Sequence, residues 1–187
     1  MQRFLILCAL SVAAFSQPIL AQPHPAQDAA AAYLNAMVEG RFDDAANLVR
    51  TADVKQARNM LLPAFEAAMQ DEKNSAPAEI FGAEATFGTV KTMQPSMFFG
   101  KMLAYGSAKT SGRYDSMETL VLGTVPEDDE LAHVLTRRVM RSRGRESSSL
   151  QLLTLTPDGA GNWQVFMPDD VNGWMRSIRS SLQPRRR

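Results

Sequence analysis

The sequence predicts an α+β domain: N-terminal helices packed in a curved antiparallel four-stranded sheet, closed by a C-terminal helix. Three observations predict it. Apolar residues recur at helical spacing from about residue 28 to residue 69 and again over residues 95–105, and beyond residue 112 the period falls from 3.6 to 2. The four period-2 segments are joined by short polar turns with no room for a crossover helix, so neighbours must run antiparallel. A last segment returns to helical spacing, which places helices and sheet in separate stretches of chain.

The elements follow in order. Arg3, the unbroken apolar and small run Phe4 to Phe15, and Pro18-Ile19-Leu20-Ala21 have the layout of a secretory signal peptide over residues 1–21. The run of 12 residues is short of the roughly 20 that a membrane span needs, so the expected chain is exported, periplasmic or secreted, and not membrane-spanning. Residues 22–27, with Pro23 and Pro25, read as a tether, and residues 28–183 as one domain. Ala29, Ala32, Tyr33, Ala36 and Met37 form the first helical stripe, which Gly40 ends. Phe42 to Val49 makes a short second helix, with Asp43 and Asp44 at its positive end.

Thr51 or Asp53 caps a third helix whose stripe is Val54, Ala57, Met60, Leu61, Ala64, Phe65, Ala68 and Met69. Pro63 is expected to kink or split it after Leu62. Lys73 to Ala78 reads as a loop, Glu79 to Met93 fits strand or helix, and Pro95 to Tyr105 is a short helix carrying Met97, Phe98 and Met102. Gly106 to Gly112, small and polar, reads as a connection. The strands are then Tyr114 to Val125, Leu131 to Met140, Ser148 to Thr156 and Asn162 to Met167. Asp169 to Leu182 is the closing helix, with Val171, Trp174, Met175, Ile178 and Leu182 on one side. Residues 184–187 form a basic tail.

Composition narrows the function classes. The chain has 187 residues, 20 basic and 20 acidic, and a single cysteine, Cys8, inside the leader-like run. Cleavage after Ala21 leaves a nearly neutral chain of 166 residues without cysteine. Its stability must come from a core of ordinary size, and nothing in the charge balance suggests nucleic acid.

The helix AAAYLNAMVEGRFDDAANLV (30–49), with its glycine stop and short second helix, followed late in the chain by long strands and a closing GNWQVF (161–166), resembles the nuclear transport factor 2-like superfamily. VLGTVPEDDELAHVLTRRV and LQLLTLTPDGAGNWQVFMPDDVNGW are also similar to small exported bacterial proteins of that superfamily. The resemblance covers most of the chain after the leader and is weakest over residues 73–112. It implies a SnoaL-like or cystatin-like cone, in which a bent sheet wraps around helices and encloses a pocket. Members use that pocket for isomerisation, hydrolysis or ligand binding, and many dimerise through the sheet. The fold motifs carry no chemistry of their own.

Stripe and strand parity place Tyr33, Phe65, Phe98 and Met117 as lining of such a pocket, with His133 near its polar end and Phe99 and Trp163 as further adaptable surface. His133 supports two readings. It is a general base suited to neutral pH, assisted by Tyr114 or Asp115, or it is a structural histidine bonded to a neighbour such as Glu118 across the ladder. The second is the more ordinary, because no other catalytic group is fixed by spacing, and adjacent Tyr114 and Asp115 point to opposite faces. Arg137, Arg141 and Arg143, with Arg145, would share a face with His133 and grip an anion if the strand ran straight; otherwise they are a solvated hairpin end with Arg138 facing oppositely.

No metal or cofactor is expected. Only His24 and His133 are available, and Pro23 removes the amide nitrogen that an N-terminal copper chelate needs. Eleven methionines are soft ligands in principle, but Met60, Met69, Met97, Met102 and Met175 lie on apolar stripes where packing explains them. The leading reading is a non-catalytic exported module that binds a small apolar molecule or a protein partner. The alternatives are a pocket isomerase or hydrolase using His133, and a structural homodimer.

Overall fold

The structure, a computed structural model, describes residues 24–110 and 112–182. The expected signal peptide (1–21) and the basic tail (184–187) lie outside the described residues. Six helices precede the sheet among these: α1 (Pro25–Val38), α2 (Phe42–Leu48), α3 (Thr51–Met69), α4 (Ala76–Phe81), α5 (Phe87–Thr92) and α6 (Pro95–Thr110). The strands are β1 (Ser116–Pro126), β2 (Ala132–Ser142), β3 (Arg145–Pro157) and β4 (Trp163–Val165), and α7 (Asp169–Leu182) closes the fold. The sheet is an antiparallel meander in the order β1-β2-β3-β4, with the helices packed against one face. The α+β architecture read from the periodicity is therefore the observed one.

Several boundaries differ from the sequence expectation, each for a local reason. The helix α1 begins at Pro25, inside the expected tether, because His24 Nδ1 accepts the Ala26 amide at 3.2 Å and proline at the first helical position loses no intrahelical bond. The helix α3 runs through Pro63 unbroken. Pro63 is exposed, so water can serve the carbonyl it leaves unpaired, while Leu61, Ala64, Phe65 and Ala68 are buried on the other side. A proline costs a helix interior about 3 kcal/mol, and burying Leu61 and Phe65 returns roughly 1.5–3 kcal/mol each.

Glu79 to Met93 resolves into helices, α4 and α5, and the expected connection at Gly106 to Gly112 is helical as far as Thr110. Gly106 is there for close packing: a Cβ on it would lie 2.6 Å from the Trp174 ring. The Thr110 hydroxyl donates back to the Gly106 and Ser107 carbonyls, at 3.2 and 3.0 Å, and holds the last turn. The β2–β3 connection needs only Arg143 and Gly144, both at positive φ (51° and 74°), the geometry of a tight hairpin turn.

Parity divides the sheet. On the inner face Ala132, Val134 and Thr136 of β2 pair with Leu155, Leu153 and Gln151 of β3, and all but Gln151 are buried. The hydroxyl of Thr136 is satisfied by the Gln151 carbonyl at 3.1 Å. On the outer face His133, Leu135 and Arg137 pair with Thr154, Leu152 and Leu150. An irregularity between Val121 and Gly123 leaves Leu122 as an extra residue, a bulge of the kind that bends a strand. The short β4 ends where the Met167 amide turns to the Asp53 carboxylate at 3.0 Å. The helical layer has its own aromatic cluster of Phe65, Phe81 and Phe98, with ring centroids 5.0 to 5.8 Å apart.

Candidate functional site

The curve of β1–β3 stands off from α1, α6 and α7 and leaves a cavity of about 470 Å³. Leu34, Met37, Val38, Phe42, Leu103, Met117, Met140, Val171 and Trp174 give it mostly apolar walls. Tyr33, Thr119, Arg138, Gln151 and Asp170 are its inner polar groups, and Tyr114, Ser116, Ser107 and Thr110 also border it. This volume and this mixture of apolar wall with few polar groups are those of a small-molecule site.

The polar groups have definite relations. Thr119 of β1 lies opposite Arg138 of β2, and Arg138 donates to Gln151 Oε1 of β3 at 2.9 Å. Its other terminal nitrogen is 3.6 Å from an Asp170 oxygen, longer than a charge-assisted hydrogen bond. The Asp170 side chain is 53% exposed, so this ion pair is screened and weak. Tyr33 is buried, and its hydroxyl makes no hydrogen bond among the described residues. Burial pushes the phenol well above the ordinary tyrosine value; the Asp170 charge adds to the shift and Arg138 opposes it. The phenol is thus a fixed neutral donor facing the cavity.

Of the sequence candidates, Tyr33 and Met117 line the cavity, and Tyr114 stands at its border. Phe65 and Phe98 do not: they belong to the aromatic cluster among α3, α4 and α6, since a stripe shows that a side chain is buried but not what it is buried against. Phe99 is likewise buried in the core, and Trp163 packs edge-on against the His24 ring at 4.9 Å; the tryptophan of the cavity is Trp174. Asp115 is turned away and accepts the Arg143 amide at 2.7 Å, which fixes the hairpin tip.

His133 is not at the polar end of the cavity. Its parity is opposite to that of Ala132 and Val134, which fill the inner face, so its ring lies on the far side of the sheet. There Nε2 meets Glu127 Oε2 at 3.0 Å and Nδ1 meets Thr154 Oγ1 at 3.1 Å. Glu118 is not its partner, because the register sets Glu118 opposite Val139 and Val125 opposite His133. The carboxylate can only accept, so in the neutral ring Nε2–H donates to Glu127 and Nδ1 accepts from the Thr154 hydroxyl. The sequence hydroxyl, imidazole, carboxylate matches a nucleophile with its base, but Glu127 is exposed and the cavity lies across the sheet.

The three arginines Arg137, Arg141 and Arg143 do not converge on an anion. The outer face carries Arg137 and Arg141, and Arg141 donates to Glu146 at 2.9 Å across the ladder. Arg143 is in the turn, where it borders a second, more polar recess with Ser142, Arg145, Glu146 and Ser147. Arg138 is the arginine that lines the cavity between sheet and helices. The signal that marks it in the sequence is a charged residue continuing the Ala132, Val134, Thr136 alternation.

Among the described residues no group of three or more His, Cys, Asp or Glu is placed to hold a metal ion. No described helix is long and apolar enough to cross a membrane. No protein-family model matches the chain, and no curated protein or solved structure matches it.

Proposed function

We propose that this chain is an exported, non-catalytic binding module, of the nuclear transport factor 2-like kind that its sequence resembles, which holds a small and mostly apolar molecule between sheet and helices. The cavity carries this reading: about 470 Å³, walled by Leu34, Met37, Leu103, Met117, Met140, Val171 and Trp174, with few polar groups inside. Methionines at two walls suit it to a flexible apolar body, because an unbranched thioether repacks at little cost. The position of His133 across the sheet supports the non-catalytic part of the reading, since it removes the one histidine of the sheet from any molecule held in the cavity.

Native mass spectrometry of protein purified from its own cell envelope tests the proposal. A retained small molecule that is lost on substituting Met117→Glu supports it, while a protein that emerges empty and takes up no apolar probe overturns it. N-terminal sequencing of the same material tests export: a start at Gln22 agrees with it and a start at Met1 does not.

The outer face of the sheet favours a second reading, a homodimer. Leu120, Val125, Leu135, Leu150 and Leu152 are exposed there, a larger apolar surface than scattered single residues make. Between them lie Glu118 and Arg137, neither with an ion pair among the described residues, so a two-fold axis can set Arg137 of one copy against Glu118 of the other. A dimer by sedimentation that Leu150→Glu converts to monomer is the expected result. A monomer at high protein concentration would remove this reading.

A further inference from the structure

The polar end of the cavity has unused donors and a weakly held charge. Arg138 offers five N–H groups and makes one hydrogen bond, to Gln151; Asp170 stays at 3.6 Å. On the same cavity wall the hydroxyl of Tyr33, a residue otherwise buried, has no protein acceptor among the described residues. An arginine with N–H groups to spare and a phenol without a protein acceptor, at the end of an apolar cavity, call for a ligand head that is acceptor-only and negatively charged.

We infer that the cavity takes an amphiphile with a carboxylate head, which Arg138 and Tyr33 grip, and that this carboxylate replaces Asp170 at the guanidinium. The inference rests on the cavity reading proposed above and names the class of its ligand. At about 30 Å³ for each water-sized atom, the space admits roughly fifteen non-hydrogen atoms, a carboxylate on a body of about a dozen carbons. Gln151 holds the guanidinium plane from one edge and leaves another open, and a planar carboxylate matches that fork in a way that a hydroxyl or an amide does not. Asp170 belongs to the first turn of α7 and is half-exposed, so it can yield its place and be hydrated without moving the helix.

This gives Arg138 and Asp170, partners in one ion pair, opposite effects on binding. The test uses the full chain and two probes of equal length, dodecanoate and dodecanol, at neutral pH, followed by calorimetry and by tryptophan emission in a Trp163→Phe background. Dodecanoate is expected to bind at least tenfold more tightly than dodecanol. Arg138→Gln should lose that preference, and an unchanged circular dichroism spectrum and urea midpoint show that the variant is folded. Asp170→Asn should bind dodecanoate several-fold more tightly than the parent, because the competing carboxylate is gone.

Equal binding of the two probes would overturn the carboxylate assignment and leave the apolar cavity standing. Weaker dodecanoate binding by Asp170→Asn would overturn the exchange, since a purely structural ion pair loses function whichever partner is removed. Binding of neither probe by the parent chain would sink the cavity reading itself.

Discussion

The two faces of β2 use consecutive residues for different ends. Ala132, Val134 and Thr136 are sealed against the helices and pass into Arg138 and Met140 at the cavity, whereas His133, Leu135 and Arg137 stand toward solvent with leucines around them. Residue type alone would assign the roles the other way, with the histidine inside and the leucines buried. Parity decides, because a strand can turn only every second side chain to the helices. The sheet is therefore one packed surface with a polar site at one end, backed by an apolar surface with its own cross-strand pairs.

The largest effect expected from breaking this asymmetry is in the core. Leu153 is 1% exposed and its neighbour Leu152 is 58% exposed. Leu153→Ala should cost about 2–5 kcal/mol, through lost burial and the cavity left behind, while Leu152→Ala should stay within about 0.5 kcal/mol. Urea unfolding of the two variants measures both. Similar losses from the two would mean that the outer face is covered in solution, which would turn the comparison toward the dimer.

Next in size is Gly106→Ala, which tests the packing that shapes the cavity wall. The new Cβ would meet the Trp174 ring at 2.6 Å, from a position where real side chains do not approach. Alanine favours a helix over glycine by up to about 1 kcal/mol, whereas overpacking typically costs 1–3 kcal/mol, so the net effect should be destabilising by about 1 kcal/mol. Trp174 emission should shift with it, because the ring must move.

These two residues also show what the sequence made legible. Strong amphipathic periods were readable to the residue: α7 runs from Asp169 to Leu182 as its stripe requires. The six-residue α4 and α5 are too short to display a period, and Gly106 and Pro63 are local breakers that packing on Trp174 and burial of Leu61 and Phe65 override. In the site, Tyr33 and Met117 were reachable from stripe and parity, because both arguments concern which side a residue faces. Phe65 and Phe98 face the helical core and not the cavity, a distinction that a stripe cannot make because the buried side of a helix in two layers has two possible neighbours. Arg138 is harder to single out, because it adjoins a run of arginines of the opposite parity, although the alternation that buries Val134 and Thr136 points at it.

A smaller effect should appear in alkaline solution. Burial raises the Tyr33 phenol in the folded chain above its value in the unfolded chain, near 10. The folded state then retains a proton that the unfolded state gives up. The stabilisation is complete below about pH 10 and is lost as pH rises from there toward the folded value. Tyr33→Phe should flatten this decline in a pH series of urea midpoints, and an unchanged slope would show that the phenol is not held in the apolar wall.

The smallest effect is assigned to the most conspicuous residue. His133→Ala removes contacts to Glu127 and Thr154 on the outer face, where both the ring and the carboxylate reach water. Hydrogen bonds and ion pairs so exposed are each worth under about 1 kcal/mol, and no buried group is left without a partner. The variant should unfold within about 1 kcal/mol of the parent and bind dodecanoate with the same affinity, since Ala132 and Val134 fill the face between this ring and the cavity. A tenfold loss of binding at full stability would mean that ligand reaches the outer face, and the hydroxyl, imidazole and carboxylate of Thr154, His133 and Glu127 would then become the site to pursue.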